Sequence, residues 1–178
     1  GVSGHKLYCL RELGSERVAM HHGDTFCLED KSYLRFRRFM HFMPWYQMGL
    51  VLPAFVGNGI GNFFRNQSKK RRARYASEAP KPRTYFDIKD EAALPFMRKV
   101  GATTLVCGHI HQPQERRYTA RNADSTTQAL RMLVLGDWRD DGAVIARAMP
   151  GGGLELQRLT LDGISEWPHE VSERNAPQ

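Results

Sequence analysis

The sequence predicts an α/β fold carrying a helical insertion, and three observations lead there. Short apolar runs end in glycine-containing turns that bear His or Asp, at His22-Gly23-Asp24, Gly108-His109-Ile110-His111 and Gly136-Asp137-Trp138. A segment with the charge pattern of an amphipathic helix, from Asp90 to Val100, precedes the second of these runs. Basic residues are concentrated in the middle of the chain: residues 31–99 hold 15 Lys and Arg against 4 Asp and Glu, a net +11, while the remainder holds 11 against 15, a net −4. The overall +7 therefore describes neither part, and the middle segment reads as an insertion with its own partner.

Taken in order, Arg17-Val18-Ala19-Met20-His21 is the first apolar run and reads as a buried strand. Gly1 to His5, ahead of it, has no basic or apolar region of the kind a secretory signal carries, and the chain is read as a piece of something longer. From Phe39 to Phe64 there are 26 residues without Asp, Glu, Lys or Arg, framed by Arg35, Arg37 and Arg38 before and by Arg65, Lys69, Lys70, Arg71, Arg72 and Arg74 after. A spanning helix needs about 20 predominantly apolar residues. Pro44, Pro53, Gly57, Gly59 and Gly61 interrupt this block, so it is read as non-spanning and suited to an anionic lipid surface or an amphiphilic ligand. Asp90 and Glu91 open the next helix, Arg98 and Lys99 close it, and Gly101 follows, although Pro95 blurs its start. Thr103 to Cys107, Met132 to Leu135, Gly142 to Ala146 and Leu154 to Leu159 complete a series of short strands, and the polar tail from Ser172 to Gln178 is expected to fray.

Composition excludes several classes. With 178 residues, 41% hydrophobic and 25% charged, the chain has the make-up of one globular domain or a domain with an insertion, not of a disordered or collagen-like polymer. Cys9, Cys27 and Cys107 are an odd number without CxxC spacing, which suggests neither a disulfide framework nor a zinc ribbon, and a reducing cytosol is the default.

The chemistry lies in the histidines that leave the strands. His109 and His111 are two residues apart, so an extended turn projects both to one side, and neutral imidazoles suit Mn, Fe or Zn. His21 and His22 are adjacent and point to opposite faces of a strand, so at most one enters the same site; His22, before the Gly-Asp turn, is the better candidate. Three histidines at two strand ends are thus candidates to share a metal centre. His5, His41 and His169 have no partner at ligand spacing.

This order of motifs, HGD, a basic and apolar insertion, GHxH and a final GDW strand, resembles the second half of the calcineurin-like metallophosphoesterases. Within them it is most similar to the UDP-2,3-diacylglucosamine hydrolases of lipid A biosynthesis. The resemblance runs from about Leu7 to Leu161 and rests on His22-Gly23-Asp24-Thr25-Phe26-Cys27 with Asp30 and Tyr33, on Leu52-Pro53, and on Arg65-Asn66-Gln67-Ser68-Lys69 leading into the cationic helix. It implies the C-terminal portion of an αββα sandwich with a helical cap: core at 1–30, cap at 31–86, core again at 87–165 and a tail at 166–178. It also implies two Mn2+ ions per complete site, with His22 and His109 on one and His111 on the other; no catalytic residue is assigned beyond these metal ligands. Metal ions of this kind activate water for in-line attack on phosphorus.

The implied reaction cleaves the pyrophosphate of UDP-2,3-diacylglucosamine to UMP and 2,3-diacylglucosamine 1-phosphate. Asp30, Ser68, Arg72 and His109 are the implied substrate contacts. The expected setting is cytoplasmic, peripheral on the anionic inner-membrane surface, with no nucleic acid as partner. Ile110 and Gln112 depart from the family's pattern around the second and third histidines, and Arg72 and Tyr75 stand where it carries Asn and Lys, so the Lys role passes to Lys69, Lys70 or Arg74. The family's first-half motifs DxH and GN(R/H)D do not occur, the only GD pairs, Gly23-Asp24 and Gly136-Asp137, belong to the HGD and GDW motifs, and activity is expected to require that first half. The alternatives are another calcineurin-like metallophosphoesterase, or a noncatalytic basic module that binds membranes or nucleic acid through Lys69 to Arg74.

Overall fold

A computed structural model describes residues 8–29, 31–40, 53–77, 87–121, 126–168 and 171–176. The chain divides into two compact units, Gly1–Leu28 with Asp87–Gln178, and Glu29–Phe86. The second unit contains two described helices, α1 (Lys31–Met40) and α2 (Ala54–Ser77). Arg37 and Arg38 sit in the last turn of α1, where the carbonyl end of the helix favours cations. The uncharged block is helical from Ala54 onward, with Phe55 and Phe63 exposed on α2; residues 41–52 lie outside the described residues. Among the described residues no helix is long and apolar enough to cross a membrane.

The first unit is mixed α/β. Its strands are β1 (Tyr8–Leu13), β2 (Glu16–His21), β3 (Thr104–Cys107), β4 (Gln114–Arg121), β5 (Thr127–Val134), β6 (Ala143–Ala148), β7 (Leu154–Thr160), β8 (Gly163–Glu166) and β9 (Val171–Asn175). Six of them form one sheet in the order β1-β2-β3-β5-β4-β9, and the other three form the antiparallel sheet β6-β7-β8. In the middle of the large sheet β2, β3 and β5 run parallel, with Val18 opposite Thr104 and Thr104 opposite Arg131.

These central strands are apolar on both faces because both faces are covered. Ala19, Leu105, Cys107, Met132 and Val134 pack on one side with Ala93, Leu94 and Met97 of the helix α3 (Asp90–Val100). The alternate residues Val18, Val106 and Leu133 pack on the other side with Val144, Leu154 and Leu156 of the small sheet. The result is three layers, helix, sheet and sheet, around two apolar clusters. Helix α3 begins at Asp90 and accommodates Pro95 on its exposed side. It stops where Gly101 turns left-handed at φ 67°, giving N–H bonds from Gly101 to Arg98 O and from Ala102 to Met97 O.

Two elements correct the sequence expectation. The tail does not fray between Val171 and Asn175, which pair in parallel with β4 from Glu115 to Thr119. Strand β4 itself escapes the apolar pattern because two of its buried residues are Glu115 and Arg116. The Arg116 side chain is fully buried and forms an ion pair with Asp87 while donating to the Ile88 carbonyl at 2.8 Å and to Asp90 Oδ1 at 3.0 Å. Burial works against the charged guanidinium, but Asp87 and Asp90 more than restore it, and its pKa lies above the ordinary value. Asp90 also accepts from the Tyr118 hydroxyl at 2.7 Å and from Arg174 at 2.9 Å. Burial raises the Asp90 pKa, yet these hydrogen bonds and the charges of Arg116 and Arg174 outweigh it and leave the carboxyl below its ordinary value.

Removing one partner of a buried ion pair strands the other, so Arg116→Ala is expected to cost about 3–5 kcal/mol in urea unfolding. Because the Asp90 pKa is lower folded than unfolded, its contribution is complete above the unfolded value of about 4 and lost as pH falls through the folded one. Stability should therefore decline in acid below about pH 4, and Asp90→Asn should flatten that decline in urea melts taken across the range.

Candidate metal centre

Because β2, β3 and β5 are parallel and in register, they end together: His21 lies opposite Cys107, and Cys107 opposite Val134. The ladder continues one residue further through Gly108 N–H to His22 O at 3.1 Å and Leu135 N–H to Cys107 O at 2.7 Å. The three motif-bearing turns consequently leave one edge of the sheet side by side, where open α/β sheets place their ligands. Gly23 enables the close approach: its φ is 101°, and a Cβ there would stand 3.1 Å from Gly108 O.

His21 turns away from this edge. Its Nδ1 accepts the Gly23 N–H at 2.9 Å, and its ring lies 4.6 Å from Phe26 and 5.4 Å from Phe96. His22 meets His109, with His109 Nδ1 3.3 Å from His22 Nε2 and the two rings inclined at 74°. His109 occupies the centre of a three-residue turn closed by Ile110 N–H to Gly108 O at 2.9 Å, and its φ is 71°. His111 is also left-handed, at φ 55°. Two consecutive left-handed histidines separated by one residue cost about 1–3 kcal/mol each, strain that clusters at ligand-binding turns.

The left-handed backbone alters the alternation expected of an extended turn. His111 lies with Asp137, its Nδ1 3.9 Å from Oδ2, and not with the His22–His109 pair. Among the described residues no group of three His, Cys, Asp or Glu converges as a metal-holding set. The pair itself has suitable spacing for two ligands of one ion: imidazole nitrogens bound at about 2.0–2.1 Å and separated by about 90–110° at the metal stand about 2.8–3.4 Å apart. Cys107 is buried in the cluster between the large sheet and α3, and burial pushes its thiol up to about 12. Asp24 is buried in the 3-10 turn Asp24–Phe26 directly behind His22.

Of the substrate contacts expected from sequence, Ser68 and Arg72 lie on α2, with side chains outside the described set, and Asp30 lies outside the described residues, as do His5, His41 and His169. Asp137, in the GDW motif, has a partner that sequence reading missed, Arg139, whose Nε donates to both Asp137 oxygens at 3.0 Å. The available signal was the two-residue spacing of an acid and a base in an extended turn.

Comparison with known proteins bears on this geometry. No protein-family model matches the chain. It is 33% identical over 146 residues to the UDP-2,3-diacylglucosamine hydrolase of Enterobacter sp. (strain 638), covering 82% of this chain and 55% of that protein. The chain is related to the UDP-2,3-diacylglucosamine hydrolases. Proteins of that name from Chromohalobacter salexigens and Escherichia coli O139:H28 are 29% identical over 149 residues and 33% identical over 135, covering 84% and 75% of this chain. The chain spans about half the length of these hydrolases, consistent with their C-terminal part.

Since a side chain gains little in a left-handed conformation that glycine adopts without penalty, His111→Gly is expected to raise stability by about 1 kcal/mol. His111→Ala should give no such gain, and thermal unfolding of the two variants against the parent separates backbone strain from side-chain loss.

Proposed function

We propose that this chain supplies the C-terminal half of an αββα metallophosphoesterase that hydrolyses the pyrophosphate bond of UDP-2,3-diacylglucosamine with Mn2+. Water adds across the P–O–P linkage, giving UMP and 2,3-diacylglucosamine 1-phosphate. The observation that carries the reading is the His22–His109 pair, 3.3 Å apart at the ends of adjacent parallel strands. The helix–sheet–sheet layering and the name shared by the relatives support it.

His22 and His109 would hold one ion, through the Nε2 and Nδ1 atoms that face each other. His111, beside Asp137, serves the second ion. Bound there, divalent ions would supply the Lewis acidity that polarises a phosphoryl oxygen. Asp30 and Ser68 bind the glucosamine, and Arg72 the phosphates or the sugar. The exposed apolar residues Phe55 and Phe63 of α2 suit the acyl chains, and the cations that follow suit an anionic membrane surface on the cytoplasmic side. The remaining metal ligands, carboxylates in particular, come from the half of the relatives that this chain does not match.

The test is a chimera in which the unmatched N-terminal half of the Enterobacter relative precedes this chain, assayed with Mn2+ and UDP-2,3-diacylglucosamine and compared with the intact relative. Release of UMP that drops by at least about 100-fold on His109→Ala is the expected result. A folded chimera without turnover, beside an active relative, would sink the proposal.

A further inference from the structure

Outside the histidine pair, a cavity of about 220 Å3 opens beside His111 and Asp137 and is lined further by Pro113, Val144, Arg139, Arg158 and Trp167. Its rim is fixed by backbone: Arg139 and Gly142 exchange hydrogen bonds at 2.9 and 3.0 Å across a tight turn. Gly142 is required there, since its φ is 125° and a Cβ would fall 2.2 Å from Leu159 O. Gly136 closes the floor, with a Cβ position only 3.0 Å from Pro113 and 3.3 Å from Val144. One wall is therefore apolar, and the other carries two ion pairs, Arg139 with Asp137 and Arg158 with Asp141.

The cations are held in a particular way. Among the described residues Arg139 is anchored to Asp137 through Nε alone, which leaves its two terminal nitrogens as donors, and its side chain is 66% exposed. Arg158 is anchored to Asp141 through Nη2 at 2.8 Å. A guanidinium oriented by a carboxylate behind it, with its outer edge open, has the geometry that receives a phosphoryl group in a fork. Trp167 and the Pro113–Val144 floor offer flat apolar surface a short way from that fork.

Resting on the reading of the site as a pyrophosphohydrolase, we propose that this cavity is the subsite for the nucleotide half of the substrate, with the phosphoryl group on Arg139 beside His111 and the pyrimidine ring against the Pro113–Val144–Trp167 surface. The cavity, about 220 Å3, brings the Arg139 guanidinium and this apolar surface together beside His111. Asp137 is then a positioning residue that acts through Arg139.

The test is an NMR titration of the 15N-labelled chain with UMP, ribose 5-phosphate and inorganic phosphate, without added metal, read on the indole N–H of Trp167 and the Nε–H of Arg139. UMP is expected to move both signals saturably, and ribose 5-phosphate and phosphate to move Arg139 without Trp167. Arg139→Ala should weaken UMP by about tenfold or more, and Arg139→Lys should restore only part of the loss, since the charge returns without the fork. Arg139 is largely exposed, so the variants should keep the parent spectrum elsewhere. The proposal is overturned if UMP leaves Trp167 unmoved, if ribose 5-phosphate moves it as far as UMP does, or if Arg139→Ala binds UMP like the parent. Because the titration needs neither metal nor turnover, an inert chimera with intact UMP binding counts against the reaction alone. An active chimera whose KM is unchanged by Arg139→Ala counts against the subsite alone.

Discussion

A buried guanidinium organises the first unit. Arg116 projects from β4 into the layer between sheet and helix, where an unpaired charge would cost several kcal/mol, and it is tolerated because Asp87, Asp90 and the Ile88 carbonyl surround it. Those three partners are consecutive with the start of α3, so a single side chain ties the point where the chain re-enters the core to the sheet beneath it. Ile88 and Leu94 are buried in the same layer, where α3 packs against the strands whose ends carry the histidines. Tyr118 and Arg174 complete the shell around Asp90, bringing β9 into the same set.

The opposite face of β4 repeats the device. Glu115 is buried and accepts from Arg131 at 2.9 Å through both oxygens, and Arg131 donates onward to the Leu154 carbonyl at the start of β7. The helix layer and the small-sheet layer are thus each fastened to the large sheet by an arginine that a carboxylate neutralises. Apolar packing fills the rest, but it is non-directional and cannot by itself set the position of a layer along the strands. The ionic anchors can, since each demands a particular donor geometry.

This explains what was legible from sequence. The strands β2, β3 and the end of β5 read clearly because they are apolar on both faces, and α3 was legible from its acids, bases and Gly101 although Pro95 blurred its start. Strand β4 was hidden because its inward side chains include Glu115 and Arg116, whose burial depends on partners distant in sequence. Strand β9 was hidden because it is an exposed polar edge that forms only by pairing with β4. In the site, the histidines were recognisable by spacing and by their place after apolar runs. The separation of His111 from His109 was not, because it follows from two positive φ angles that no periodicity encodes.

Rigidity and strain therefore meet over a short stretch of chain. His109 and His111 lie in left-handed turns between β3, whose four residues are all buried, and β4, which begins three residues after His111. Strain of about 1–3 kcal/mol per residue persists only when the flanking structure over-determines it. Here the flanks are a strand buried on both faces and a strand locked by Arg116 and Glu115, so neither end can slip to relax the turn. The ionic anchors, which look purely structural and lie away from the histidines, thereby keep His109 against His22 and His111 against Asp137. Weakening them should loosen the site before it unfolds the domain, because the strained turn is the part with most to gain from motion.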